Sequence, residues 1–253
     1  MSSENALLHD KRVVVLGASR GVGRAIVQQA SAAGAQVLAV ARQARGLAEL
    51  AESTPGVETL ALDAASEAAP RKVFRKGKPD LLVICGGATP PVRPLPELSW
   101  EEFAFNWEVD TKMAFLFCGE ALRAPLAPGS LVVIISSGAG LGGSPISGGY
   151  AGAKRMQMFI ARYGQAESDR RELGIRFVAL APTRLMPETD LGRAAVNGYA
   201  RYLGVPADKF LENMGRRQSP GDVAQAVLDI AVKLPAESGS IFTVSADGVA
   251  AAS

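Results

Sequence analysis

Arg12-Val13-Val14-Val15-Leu16-Gly17-Ala18-Ser19-Arg20-Gly21-Val22-Gly23 is the stretch from which the fold of this chain can be read. Its first five residues are a β-branched run, apolar from Val13 to Leu16, the pattern of a strand buried on both faces. A glycine-rich turn follows, and residues 24–33 carry apolar positions at helical spacing. Strand, glycine turn and helix in that order form a phosphate cradle. The glycines allow a tight turn and close backbone approach, and the helix start attracts an anion. The same residues also match the nucleophile elbow of a serine hydrolase, since Gly17-Ala18-Ser19-Arg20-Gly21 reads G-x-S-x-G. That chemistry needs a histidine downstream of the serine, and the only histidine is His9. The hydrolase reading fails, and a His-Cys zinc site or a Cys-His protease fails with it.

Working outward, apolar runs alternate with helical stretches. Residues 36–40, 59–62, 81–85, 131–135, 175–180 and 240–244 read as further strands, about seven in all. Gly34 closes the first helix. Ser99 and Glu102 have the spacing of a capping box opening a long helix to about residue 122, and a helical pattern runs from 151 to about 173. Ser219-Pro220-Gly221-Asp222 starts another, to about residue 233. The alternation predicts an α/β fold with a doubly wound parallel sheet and helices on both faces. The proline-rich segment 89–96 is a loop, and 183–218, after the sixth strand, has the position of a substrate lid.

At 253 residues the chain has the length of a single domain, 1–253, and no repeat or linker marks a boundary. A net charge of +2 with 21% charged residues argues against a nucleic-acid or anionic-membrane partner. Arg71, Lys72, Arg75, Lys76 and Lys78 read as a solvated helix end. No apolar run has the length of a membrane span, and residues 1–10 lack the apolar core of a signal peptide. Cys85 and Cys118 lie in apolar surroundings and suit free thiols in a reducing compartment, so the expected location is cytoplasmic.

The stretch that carries chemistry is Ser136-Ser137-Gly138-Ala139-Gly140-Leu141-Gly142-Gly143-Ser144-Pro145-Ile146-Ser147-Gly148-Gly149-Tyr150-Ala151-Gly152-Ala153-Lys154. Ser137 ends a strand, while Tyr150 and Lys154, four apart, share one helical face. Taken alone, such a pair is more often a packed or solvated face. An ammonium beside a phenol favours the phenolate, which makes Tyr150 a usable general acid/base. Ser137 can hydrogen-bond the oxygen of a carbonyl or alcohol. At the end of the second strand, Val40-Ala41-Arg42 offers no acid to hold a ribose 2′-hydroxyl. Arg20 and Arg42 instead favour a 2′-phosphate, hence NADP(H) over NAD(H). The competing reading makes Arg42 a plain strand-end charge. Asp63 is positioned for an adenine amino group, and Gly86-Gly87 let backbone approach a cofactor.

Ser137, Tyr150 thirteen residues later and Lys154 four further on, behind the Gly17–Gly23 turn, resemble the short-chain dehydrogenase/reductase family. The resemblance runs from about residue 10 to 248 and implies a Rossmann-like domain. It implies Tyr150 as proton donor or acceptor, Ser137 orienting the substrate oxygen, and Lys154 binding the nicotinamide ribose and lowering the tyrosine pKa. Gly17, Gly21, Val22 and Gly23 would form the phosphate cradle, with Ser19, Arg20 and Arg42 selecting NADP(H). Asp63 would hold adenine, and Gly86, Gly87 and Pro182 would lie along the cofactor. Hydride passes directly between nicotinamide C4 and the substrate carbon, so no metal is required. A homodimer or homotetramer built through the long helices is implied by resemblance alone.

Four positions depart from the family pattern. Leu16 replaces a threonine, and Ile84-Cys85-Gly86-Gly87 replaces Asn-Asn-Ala-Gly, so apolar packing is expected where a polar tie joins two loops. Asp110 stands where an asparagine completes a water-linked proton relay to the lysine. Its charge would stabilise protonated Lys154 and oppose the Tyr150 phenolate, which predicts a shifted pH optimum. Pro182-Thr183-Arg184 replaces a Pro-Gly start to the loop after the sixth strand. The leading expectation is an NADP(H)-dependent oxidoreductase interconverting a carbonyl and a secondary alcohol, on a small-molecule substrate of apolar or aromatic character. The alternative is a dinucleotide-binding sensor or scaffold with little turnover. The departures motivate it, and the intact Ser137, Tyr150 and Lys154 oppose it.

Overall fold

Seven apolar runs become strands in the computed structural model, which describes residues 8–215, 217–233 and 241–252. They are β1 (Arg12–Leu16), β2 (Gln36–Ala41), β3 (Glu58–Ala61), β4 (Leu81–Ile84), β5 (Leu131–Ile135), β6 (Arg176–Pro182) and β7 (Ile241–Ser245). Ser240 and Arg216, expected in the last strand and the lid, lie outside the described residues. The sheet order is β3-β2-β1-β4-β5-β6-β7-β8, and every pairing from β3 to β7 is parallel. The last strand, β8 (Gly248–Ala251), adds an eighth to the about seven expected and returns antiparallel on β7, leaving the sheet mostly parallel as expected. Its exposed Gly-Val-Ala-Ala has neither the alternation nor the β-branched density that marks a strand.

The helices are α1 (Gly21–Ala32), α2 (Ala44–Ser53), α3 (Ala69–Arg75), α4 (Trp100–Asn106), α5 (Lys112–Arg123), α6 (Ala139–Gly142), α7 (Gly148–Arg170), α8 (Asp190–Leu203), α9 (Ala207–Asn213) and α10 (Pro220–Lys233). Val13 and Val15 of β1 pack with Ile26 of α1, Leu50 of α2 and Val227 of α10. Val14 and Leu16 point the other way, into a second core with Val73 of α3, Phe117 of α5 and Met158 of α7. Successive strand residues thus enter two separate cores, which is why the run is apolar without alternation. The chain steps outward from β1 to β3 and then crosses to β4 on the other side of β1. The order reverses between β1 and β4, and that reversal opens a crevice at the strands' C-terminal ends.

Two local features shape this crevice. The capping box forms as expected, with Glu102 N–H donating to Ser99 Oγ at 3.2 Å and Ser99 N–H to the Glu102 carboxylate at 3.0 Å. The single helix expected after it is instead two, α4 and α5, joined by π-helical residues Trp107–Thr111. The wider turn re-aims α5 relative to α4, and it buries Asp110 and Thr111. Segment 183–218 carries α8 and α9, with Thr189 Oγ1 accepting from Gly192 N–H at 2.9 Å to cap α8. No helix among the described residues is long and apolar enough to cross a membrane.

Candidate active site

A cleft of about 1030 Å³ runs along the C-terminal edge of the sheet, and every catalytic or cofactor-binding residue expected from the sequence lines it. On the β1–β3 side, Gly17 adopts φ +79°, and a Cβ there would meet Gly86 Cα at 2.5 Å. A Cβ on Gly23 would run into the Gly17 carbonyl. The turn is therefore closed to any larger residue at both positions, and Gly21 also has positive φ. Arg20, the N-cap residue of α1, makes no side-chain cap bond, which leaves the first amides of the helix open to an anion. Backbone cradle and open helix start together fit the phosphates of a dinucleotide. Val22 packs on the β1–α1 core, and Ser19 lies against Gly46. Leu16 and Ile84 pair in register with no solvent exposure, the apolar packing expected in place of a polar tie.

Arg42 and Asp63 stand exposed just beyond β2 and β3. Arg42 makes no ion pair among the described residues, and Asp63 Oδ1 accepts from Ala65 N–H at 3.0 Å. Arg20 differs from expectation. It is ion-paired with Asp190 at the start of α8, which also pairs with Arg193. The sequence gives no sign of this link, because its partners lie far apart in the chain and the lid has no strand register to place them.

The other half of the cleft is built where α7 meets β5 and the π-helical segment. Gly149 allows α7 to approach the α4 backbone at Phe103, and Gly140 allows α6 to rest on α7 beside Lys154. Ser137 follows the end of β5 by two residues, its Oγ accepting from Ala139 N–H at 3.2 Å, and it lines the cleft together with Tyr150. Lys154 Nζ lies 5.5 Å from the Tyr150 ring centroid. Asp110 Oδ2 faces that ammonium at 3.3 Å, with both side chains almost fully buried. Asp110 and Lys154 thus form a direct ion pair. Asp110 Oδ1 accepts from Ala88 N–H at 2.9 Å, and Asn106 Nδ2 donates to Ala88 O at 2.8 Å. Gly87 sits so close that a Cβ would stand 2.8 Å from Asp110 Oδ2.

The electrostatic balance corrects one expectation. Burial raises the Tyr150 pKa above that of an ordinary phenol; Lys154 and Ser137 lower it, while Asp110 and Cys85 raise it further. Burial wins, so the lysine moderates the shift without reversing it. Burial alone would pull Lys154 down, but Asp110, Tyr150 and Cys85 outweigh it and hold the ammonium above its ordinary value. Cys85, at the end of β4, is pushed up to about 12 by burial and remains a thiol.

Beyond Tyr150 the wall is largely apolar. Val92, Ile146, Leu191 and Phe210 line it, and Tyr199 of α8 stacks on Phe210 of α9 at 5.7 Å. The Tyr199 hydroxyl donates to Ser144 Oγ at 2.6 Å. Pro182 ends β6 with its carbonyl accepting from Gly138 N–H at 2.7 Å, and Thr183 is tied through N–H to Val244 O at 3.0 Å. Thr183 therefore needs no glycine-like backbone, because φ is not positive there. Sequence reasoning missed Asn106, Gln157, Asp190 and Tyr199. Gln157 alone left a signal, standing three residues after Lys154 on the same helical face.

Comparison with known proteins agrees with this geometry. Residues 11–198 match the short chain dehydrogenase family. L-xylulose reductase of Bos taurus is 31% identical over 191 residues, covering 74% of this chain and 76% of that protein. The human L-xylulose reductase is 34% identical, but over 51% of this chain and 54%, about half, of its own length. Among solved structures, a 3-ketoacyl-(acyl-carrier-protein) reductase from Brucella melitensis, complexed with NADH, superposes with a TM-score of 0.78. It covers 93% of this chain and 97% of its own at 21% identity, a likeness of fold.

Proposed function

Because the chain belongs to the short-chain dehydrogenase family, we propose that it is an NADP(H)-dependent oxidoreductase interconverting a carbonyl and a secondary alcohol, with Tyr150 as general acid/base. The observation that carries this reading is the convergence of Ser137, Tyr150 and Lys154 in a buried corner of the cleft. The bound nicotinamide would supply or receive a hydride at the substrate carbon. In reduction, the Tyr150 hydroxyl gives its proton to the carbonyl oxygen, and the Ser137 hydroxyl donates a hydrogen bond to that oxygen. In oxidation, Tyr150 takes the proton back. Its raised pKa keeps Tyr150 a neutral phenol at neutral pH, the form that reduction requires.

Gly17, Gly21 and Gly23 would hold the phosphates with the α1 amides, while Ser19, Arg20 and Arg42 would take the 2′-phosphate. Asp63 would meet the adenine, and Gly86, Gly87 and Pro182 would lie along the nicotinamide half. The apolar wall of Val92, Ile146, Leu191 and Phe210 supports an apolar or aromatic substrate over a polyhydroxylated one, whose hydroxyls it would leave unpaired. Exposed Phe115 on α5 and Tyr163 on α7 support a homo-oligomer joined along these helices. Two free cysteines, Cys85 half-buried and Cys118 buried, agree with a reducing, cytoplasmic setting.

Calorimetric titration with NADPH and, separately, NADH tests the cofactor assignment. NADPH binding at least tenfold tighter, about 1.4 kcal/mol, is expected. Tighter NADH binding would overturn the NADP(H) preference, and binding of neither would overturn the cofactor site. Turnover of a carbonyl panel by Tyr150→Phe then tests the acid/base assignment, with a loss of about 10²–10⁴-fold expected. Unchanged turnover would refute it.

A further inference from the structure

Lys154 is held by more residues than the proposed reaction names. An ammonium has three N–H donors, and three protein oxygens surround this one. Ile135 O at 3.3 Å and Gln157 Oε1 at 3.1 Å accept hydrogen bonds from it, and Asp110 Oδ2 stands at 3.3 Å as its ion-pair partner, outside hydrogen-bond geometry. Gln157 is completely buried. The other end of its amide, Nε2, donates to the main-chain oxygen of Asp110 at 3.0 Å. One planar group thus joins the lysine on α7 to the π-helical residue that faces it. Its neighbours Met158, Ile160 and Ala161 are apolar and buried, and an apolar side chain would fill the same volume without desolvating an amide. Both polar ends of this amide are spent on the Lys154–Asp110 pair.

We propose that Gln157 is a positioning residue for the acid/base step: its amide bridges the Lys154 ammonium to the Asp110 main-chain carbonyl and so holds the ammonium beside Tyr150. The inference rests on the reading of Tyr150 and Lys154 as the acid/base pair. Lys154 and Asp110 then meet by direct contact, and Gln157 sets the register of α7 against the π-helical turn. The titratable groups facing Lys154 are Asp110 from that turn, Tyr150 from its own helix and Cys85 from the end of β4. Gln157 adds a neutral acceptor that favours the charged lysine.

The test is an NMR titration of Lys154 in protein carrying isotope-labelled lysine, without cofactor or substrate. The signal is assigned by its loss in Lys154→Arg. Gln157→Met keeps the length of the side chain and removes the amide. Its Lys154 midpoint should fall by about one pH unit, the scale of one hydrogen bond to a charged group. A midpoint superimposable on wild type overturns the proposal. Gln157→Glu keeps an acceptor and adds charge, so its midpoint should stand at or above wild type, and a fall overturns the proposal even if the methionine variant folds poorly. The pH limb of kcat should move with the NMR midpoint in both variants. Wild-type turnover in Tyr150→Phe would remove the catalytic reading, while the NMR titration still decides the role of Gln157.

Discussion

Asp110→Asn isolates the charge that most distinguishes this site. Asparagine keeps the size and can still accept from Ala88 N–H, the bond that Asp110 makes at 2.9 Å. What it removes is a negative charge 3.3 Å from Lys154 Nζ, itself 5.5 Å from the Tyr150 ring centroid. Those two distances put the carboxylate no more than about 9 Å from the ring. With an effective dielectric of about 20, that separation is worth about 2 kcal/mol, or a little over one pKa unit. Asp110 raises the Tyr150 pKa, so its neutralisation lowers it. Reduction needs the phenol, and its alkaline loss should therefore begin about one pH unit lower. Oxidation needs the phenolate and should gain over the same interval.

A second effect opposes the first. Asp110 also helps to keep Lys154 charged against burial, and a neutral lysine would no longer pull the tyrosine down. The two groups titrate as a pair, so the measured value is apparent. Wherever Lys154 is still an ammonium the first effect dominates. Ultraviolet titration of tyrosinate checks this directly, because the chain has four tyrosines and subtraction of Tyr150→Phe leaves one. Superimposable curves would refute the electrostatic role of Asp110. A shift to higher pH would also refute the reasoning, by showing that the lysine loses its proton first.

The same geometry sets the outcome of other substitutions. Arg42→Ala should weaken NADPH binding about tenfold with little change for NADH, measured calorimetrically, since the exposed guanidinium is free for a charge-assisted phosphate contact. Asp190→Asn should release Arg20 and tighten NADPH binding up to about fivefold, the range of an exposed ion pair; unchanged affinity would mean that Asp190 and the phosphate do not compete. Gly87→Ala should cost about 1–3 kcal/mol and lower Tm, because its Cβ meets the Asp110 carboxylate at 2.8 Å. Gly152→Ala, on α7 with open space around it, should instead stabilise by about 0.5–1 kcal/mol.

Features with a short-range cause are readable from the sequence. The strands β1, β4 and β5 are apolar on both faces, so their runs announce burial between two helical layers. The Ser99–Glu102 box needs only four consecutive residues. Tyr150 and Lys154 share a face because helical periodicity alone puts them there. The features that stay hidden arise between distant segments or from small backbone departures. The π-helical turn at Trp107–Thr111 leaves no mark in a pattern already helical on both sides, yet it decides where Asp110 points. The Arg20–Asp190 pair depends on how α8 docks, and β8 is recruited by the free edge of β7 rather than by its own residues. The Tyr150 pKa runs against expectation because spacing reveals the lysine but not the depth of burial.

The departures at Leu16, Ile84–Gly87 and Asp110 are best understood as one linked change. Without a polar side chain at Leu16, the turns after β1 and β4 meet through backbone alone, at Gly17 against Gly86. Cys85 N–H donating to Leu16 O at 3.1 Å fixes where the β4 turn begins, and the residues beyond it are oriented from the other side. Asp110 and Asn106 do so by taking the N–H and the carbonyl of Ala88. A neutral residue at Asp110 could accept that N–H equally well, but the same side chain also faces a buried ammonium. A carboxylate accepts from that N–H and also pairs in charge with the ammonium, which hydrogen-bonds Gln157 Oε1 and Ile135 O. The cost falls on Tyr150, whose phenolate is disfavoured by the charge that anchors the loop. A site arranged in this way keeps Tyr150 protonated to higher pH in exchange for a fixed loop.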